Sequence, residues 1–156
     1  MPKILVVDDD ESVRKLVSFT LSDLGHEIVE AADGEEAVEV AVREKPDLIV
    51  LDIMMPGMDG LQVLRELRRI GVKRDTRVML LTAKSQEVDF ALGYNLGADD
   101  YLTKPFDPDE LALQVTETMM LTPEQLQQRR EEEIERAQLL SRVESAFGEN
   151  DSTQAF

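Results

Sequence analysis

Short apolar runs alternate along this chain with segments whose apolar positions recur every three to four residues. The runs ILVV (4–7), HEIVEA (26–31), DLIVLD (47–52), VMLLT (78–82) and DYLT (100–103) read as strands, most of them too uniformly apolar to have a wet face. Between them the spacing predicts helices over Glu11–Leu24, Gly34–Lys45, Gly60 to about Ile70, Gln86–Leu96 and Pro108–Met119. Gly25 and Gly97 stand where helices stop, and Pro46 ends the second helix. Strictly alternating strands and helices predict a parallel sheet covered on both faces. Right-handed crossovers then favour the order 2-1-3-4-5, a doubly wound α/β domain over residues 1–120.

The pattern changes after residue 120. Thr122, Pro123, Glu124 and Gln125 form a helix start, with a capping threonine and proline at the first helical position. Residues 127–133 contain no apolar side chain, and such a charged run reads as a solvated helix face. Ile134, Ala137, Leu139, Leu140, Val143, Ala146 and Phe147 then make an amphipathic stretch ahead of Gly148. The expectation is a helical extension over 121–148 and a disordered tail over 149–156.

Charge and composition narrow the functional classes. A net charge of −16, from 33 acidic and 17 basic residues, repels nucleic acid and anionic membrane surfaces. With no cysteine, disulfides and thiolate metal sites are excluded. No apolar stretch approaches the roughly 20 residues of a membrane span, and MPKILVV lacks a signal-peptide layout, so the expected compartment is the cytoplasm.

Chemistry-bearing residues follow the apolar runs: Asp8 and Asp9 after the first, Asp52 after the third, Thr82 after the fourth and Lys104 after the fifth. In an open parallel sheet the carboxyl ends of the strands form the ligand edge. Three carboxylates there disfavour one another's ionisation unless a cation joins them, and oxygen-only donors suit Mg²⁺. A carboxylate beside such an ion can attack a phosphoryl donor, with Lys104 placed to balance charge on the phosphoryl oxygens. Asp8 and Asp10 could equally be helix-capping or turn residues. Met54, Met55 and Met58 read as packing and loop contacts, His26 as a surface or turn residue, and Asp99 and Asp100 as part of the turn into the fifth strand.

ILVVDDD (4–10), LDIMMPGMDG (51–60), TAK (82–84) and GADDYLTKPF (97–106), in this order and spacing, resemble the motif set of the response-regulator receiver domain of bacterial two-component signalling. The resemblance implies that Asp52 accepts a phosphoryl group from a sensor histidine kinase or a phosphotransfer protein. It implies Mg²⁺ held by Asp9, Asp52 and the backbone carbonyl of Met54, with Asp8 acting mainly through a metal-bound water. Thr82 would be the hydroxyl that turns toward the phosphoryl oxygen, Tyr101 the aromatic switch that follows it, and Lys104 the cation bound to the phosphate. A cis Lys104-Pro105 bond is expected, and Gly57 and Gly60 would shape the loop into the third helix. Met54 and Lys84 resemble positions that tune acyl-phosphate lifetime.

The chain departs from the DNA-binding subfamily that it resembles through GADDYLTKPF. Phe90 and Leu92 in the fourth helix, and Asp109 and Gln114 in the fifth, stand where charge-pairing residues of a symmetric dimer are usual. The face formed by helix four, strand five and helix five is therefore expected to meet a downstream protein or the chain's own C-terminal helix. Dimerisation through that helix or that face stays open. The functional expectation is a phosphorylation-dependent signalling switch, not an enzyme acting on outside substrates, that promotes its own phosphorylation and dephosphorylation. Two alternatives remain. One is the receiver fragment of a longer effector, such as a transcriptional regulator or cyclase. The other is an Asp-nucleophile phosphohydrolase, which the Met54 in place of a second Asp disfavours.

Overall fold

A computed structural model of the protein describes residues 1–72, 75–83 and 90–154, with side chains described as far as residue 147. Strands β1 (Lys3–Val7), β2 (Glu27–Ala31), β3 (Leu48–Asp52), β4 (Arg77–Ala83) and β5 (Asp100–Lys104) alternate with helices α1 (Glu11–Asp23), α2 (Gly34–Glu44), α3 (Gly60–Arg69), α4 (Phe90–Asn95) and α5 (Pro108–Met120). A sixth helix, α6, runs over Pro123–Gln154. The sheet has the order β2-β1-β3-β4-β5 and every pairing is parallel, as the alternation predicts.

Period-2 alternation within the apolar strands divides the core into two layers. Leu5, Val7, Ile49, Leu51 and Leu80 face α2 and α3, with Val63, Leu64 and Leu67 packed on them. Ile4, Val6, Leu48, Val50, Met79 and Leu81 face the other way, toward Val17 and Leu21 of α1 and Leu111 and Val115 of α5. Both faces of the sheet are therefore dry, and burying each Leu, Ile or Val side chain contributes about 1.5–3 kcal/mol. Aspartates 10, 33, 59 and 107 cap the starts of α1, α2, α3 and α5 by accepting backbone N–H bonds. Asp10 thus has the capping role, whereas Asp8 does not.

Two expectations need adjustment, and one lies partly outside the described residues. Of the expected fourth helix, Gln86–Leu96, the described part is Phe90–Asn95; residues 86–89 and Lys84 lie outside the described residues. The last helix does not stop ahead of Gly148 but continues to Gln154, through most of the segment read as a disordered tail. A single glycine inside a helix costs only about 1 kcal/mol and no proline follows it. Finally, the charged run at 127–133 is not simply a solvated face, because Arg129 and Arg130 turn inward onto Asp99 and Asp100.

Candidate functional site

The register of the sheet brings the carboxyl ends of β1 and β3 level, because Val7 pairs with Leu51. Asp8 and Asp52 thereby become neighbours. Asp52 pairs with Leu81 and Ala83 with Lys104, which sets Thr82 and Lys104 on the same edge. Oxygens of Asp8, Asp9 and Asp52 lie within 4.8 Å of one another, with Asp8 and Asp52 buried and Asp9 exposed.

Lys104 is the counter-charge. Its Nζ donates to Oδ2 of Asp8 at 2.8 Å and lies 3.4 Å from Oδ1 of Asp52. The Lys104-Pro105 peptide bond at the end of β5 is cis, as expected. Burial alone would lower the lysine pKa, but the bond to Asp8 and the charges of Asp52 and Asp8 outweigh it, and the ammonium is held above its ordinary value. Among the described residues one cation does not balance the acids. Burial first, and then the charge of Asp8, push Asp52 up to about 7, against the pull of Lys104 and the Met54 N–H.

Backbone and neighbouring side chains fix these carboxylates. The Asp10 N–H donates to Oδ1 of Asp8 at 2.9 Å, and Nη1 of Arg14 donates to the Asp8 carbonyl at 2.8 Å while its Nε holds Glu30 at 3.0 Å. Arg14 was not anticipated from the sequence; one turn into a helix, it carries no signal in the apolar pattern. The Met54 N–H donates to Oδ1 of Asp52 at 3.3 Å, and the Met54 side chain projects into solvent. Met55 is buried and Met58 packs against the core, as packing residues should. Gly60 lets α3 start against the end of β3: a Cβ there would sit 2.4 Å from the Asp52 carbonyl oxygen. A side chain at 60 would therefore displace the strand end that carries Asp52.

Thr82 is buried and its hydroxyl donates to the Ala83 carbonyl at 3.2 Å. Tyr101 lies near the start of β5, half-buried, with its ring edge-on to Phe90 at 4.6 Å and to Tyr94 at 5.1 Å between centroids. Its hydroxyl donates to the Phe90 carbonyl at 3.3 Å. Asp99, read as a turn residue, is buried and accepts from the Val78 N–H at 2.9 Å as well as from Arg130.

An oxygen-rich cluster of this kind, with more acid than its lysine can balance, fits a hard divalent cation; Asp8, Asp9 and Asp52 are the residues that could hold one. A nucleophilic carboxylate beside a lysine, at the mouth of a parallel sheet, is equipped to receive an electrophilic phosphorus.

Residues 4–116 match the family model described as response regulator receiver domain. The alkaline phosphatase synthesis transcriptional regulatory protein PhoP of Bacillus subtilis (strain 168) is 50% identical over 113 residues, covering 72% of this chain and 46% of its own length. The probable transcriptional regulator ycf27 of Porphyridium aerugineum is 47% identical over the same number of residues with the same coverage. The chain thus spans about half the length of these curated relatives. Among solved structures, the chemotaxis protein CheY4 of Vibrio cholerae superposes with a TM-score of 0.70 at 36% identity, covering 77% of this chain and 99% of that one. A CheY-like receiver domain protein from Methanospirillum hungatei JF-1 gives 0.69 at 34%, covering 75% and 93%. The family match ends at residue 116, short of α6.

Proposed function

We propose that this chain, which belongs to the response regulator receiver domain family of two-component signalling, is a switch thrown by phosphorylation of Asp52. The observation that carries the reading is the unbalanced pocket: a buried Asp52 at the end of β3, Asp8 and Asp9 beside it, and the Lys104 ammonium 3.4 Å away.

A carboxylate oxygen of Asp52 attacks the phosphorus of a phosphohistidine, on a sensor histidine kinase or phosphotransfer protein, or of a small acyl phosphate. The new O–P bond forms as the bond to the leaving group breaks, and the leaving group keeps that electron pair. An aspartyl phosphate results. Mg²⁺, held by Asp8, Asp9, Asp52 and the Met54 carbonyl, would supply charge neutralisation for the transferring group. Lys104, now shared between Asp8 and Asp52, is within reach of a phosphoryl group on Asp52, and Thr82 offers a hydroxyl on the same edge. Desolvation makes these contacts stronger than they would be in water. Hydrolysis of the aspartyl phosphate by water resets the switch.

Output passes through protein contacts at the face of α4, β5 and α5, where Tyr101 meets Phe90 and Tyr94. The lengths of the relatives named as transcriptional regulators favour a second form of this reading, in which the same switch is the input unit of a longer effector.

The test is intact mass after incubation with Mg²⁺ and acetyl phosphate, wild type against Asp52→Asn. A single labile phosphoryl adduct in the wild type alone is expected. An adduct that persists in Asp52→Asn, or none in either protein, would sink the reading.

A further inference from the structure

Helix α6 is gripped near its start, lies against α4, and leaves its later turns largely exposed. Thr122 and Gln125 cap it reciprocally, and Nη2 of Arg77 donates to the Leu121 carbonyl at 2.7 Å. Leu126 is buried. Nη2 of Arg129 donates to the Asp99 carbonyl at 2.6 Å and lies 3.8 Å from the Asp100 carboxylate, and Arg130 pairs with the Asp99 carboxylate. Farther along, α6 passes over a groove of 1060 Å³ whose far wall includes Phe90, Tyr94 and Tyr101. Leu139, Leu140, Val143 and Phe147 stay exposed there, so this half of the helix gains little from burial.

The residues gripped by α6 open β5, and the residue that closes β5 is Lys104. Five residues of one extended strand therefore join the arginine clamp to the acidic pocket. Tyr101 sits between them, seated so closely on α4 that a Cβ at Gly93 would fall 1.7 Å from its hydroxyl oxygen. Gln114 of α5 ties the Asp100 carboxylate and the Tyr101 carbonyl together at 3.1 Å each. A phosphoryl group on Asp52 would bring a charge of about −1.5 to −2 next to Lys104 and draw it away from Asp8. The strand end that moves with the lysine is continuous with the segment that α6 holds.

We propose that α6 is an internal ligand of the α4–β5 face and that its docking opposes phosphorylation of Asp52: loading the pocket loosens the Arg129–Arg130 clamp and uncovers the face of Phe90, Tyr94 and Tyr101. This deepens the phosphoacceptor reading and rests on it. Linkage then requires the converse, that breaking the clamp strengthens occupancy of the pocket by the same factor.

Beryllofluoride with Mg²⁺ serves as the phosphoryl probe on the full chain. Its binding is followed by ¹⁹F resonance, and the state of α6 by amide exchange over residues 123–135. Tyr94 and Tyr101 are the 2 tyrosines of a chain without tryptophan, so intrinsic fluorescence also reports on this interface. The expected results are exchange at least about five-fold faster with the probe bound, and binding at least about five-fold tighter in Arg129→Gln/Arg130→Gln. Probe bound with exchange unchanged or slowed would overturn the proposal and leave the phosphoacceptor reading standing. A folded double variant with wild-type affinity would do the same, and if that variant does not fold, the wild-type exchange decides alone. Failure of the wild type to bind the probe would instead remove the phosphoacceptor reading, and the proposal with it.

Discussion

The two ends of β5 solve the same electrostatic problem differently. At its start, Asp99 and Asp100 meet two arginines, a backbone N–H from Val78 and the amide of Gln114, so that both carboxylates find donors within the chain, although burial still holds Asp99 above its ordinary pKa. At its end, Asp8 and Asp52, with Asp9 beside them, meet one lysine among the described residues, and Asp52 is left with a pKa near neutrality. A satisfied cluster holds structure in place. An unsatisfied one leaves room for further positive charge, which fits the cation and the phosphoryl group of the proposed switch.

If that contrast holds, deleting a carboxylate has opposite signs at the two ends. Asp99→Ala leaves the Val78 N–H and the Arg130 guanidinium without their partner, and urea unfolding is expected to show a loss of ~2–4 kcal/mol. Little or no loss would mean that the clamp end is not satisfied in the sense argued.

Asp52→Asn is expected to stabilise, with a pH dependence that identifies the cause. Asp52 holds its proton to about pH 7 when folded but releases it near the ordinary 3.8 when unfolded. Wild-type stability from this group is therefore full below about pH 4, declines as pH rises toward 7 and is flat beyond. In chelator-containing buffer the variant should gain ~1 kcal/mol or more over wild type at pH 8 and nothing at pH 4. Added Mg²⁺ should narrow the gap at pH 8 by stabilising only the wild type. A gain independent of pH would point to packing instead of charge.

The smallest effect belongs to the exposed half of α6. Leu139→Gln removes an exposed side chain and should change unfolding by less than ~0.5 kcal/mol. A larger loss would show that this half of the helix is held down as firmly as its start.

How much of this was legible beforehand follows from the same contrast. Strand-forming runs fix both the sheet and where its edge lies, so Asp8, Asp9, Asp52, Thr82 and Lys104 could be placed on one edge by following each run to its end. Asp8 was separable from Asp10 only in three dimensions, since either could cap α1. The clamp was invisible because nothing apolar announces it. Arg129 and Arg130 sit in a stretch without hydrophobic residues, and their partners lie 30 and 31 positions away in what read as a turn. Leu126, just ahead of that stretch, was the one apolar cue. The persistence of α6 past Gly148 was missed for a simpler reason: a glycine weakens a helix without ending it unless the chain takes the left-handed turn there.

The ion pair between Lys104 and Asp8 spans 96 residues of sequence. During synthesis the two aspartates of β1 and β3 emerge long before the lysine that quiets them, and a partly made chain that paired these strands would bring unbalanced acids together. The pocket is thus completed only when β5, which carries Lys104, joins the sheet edge.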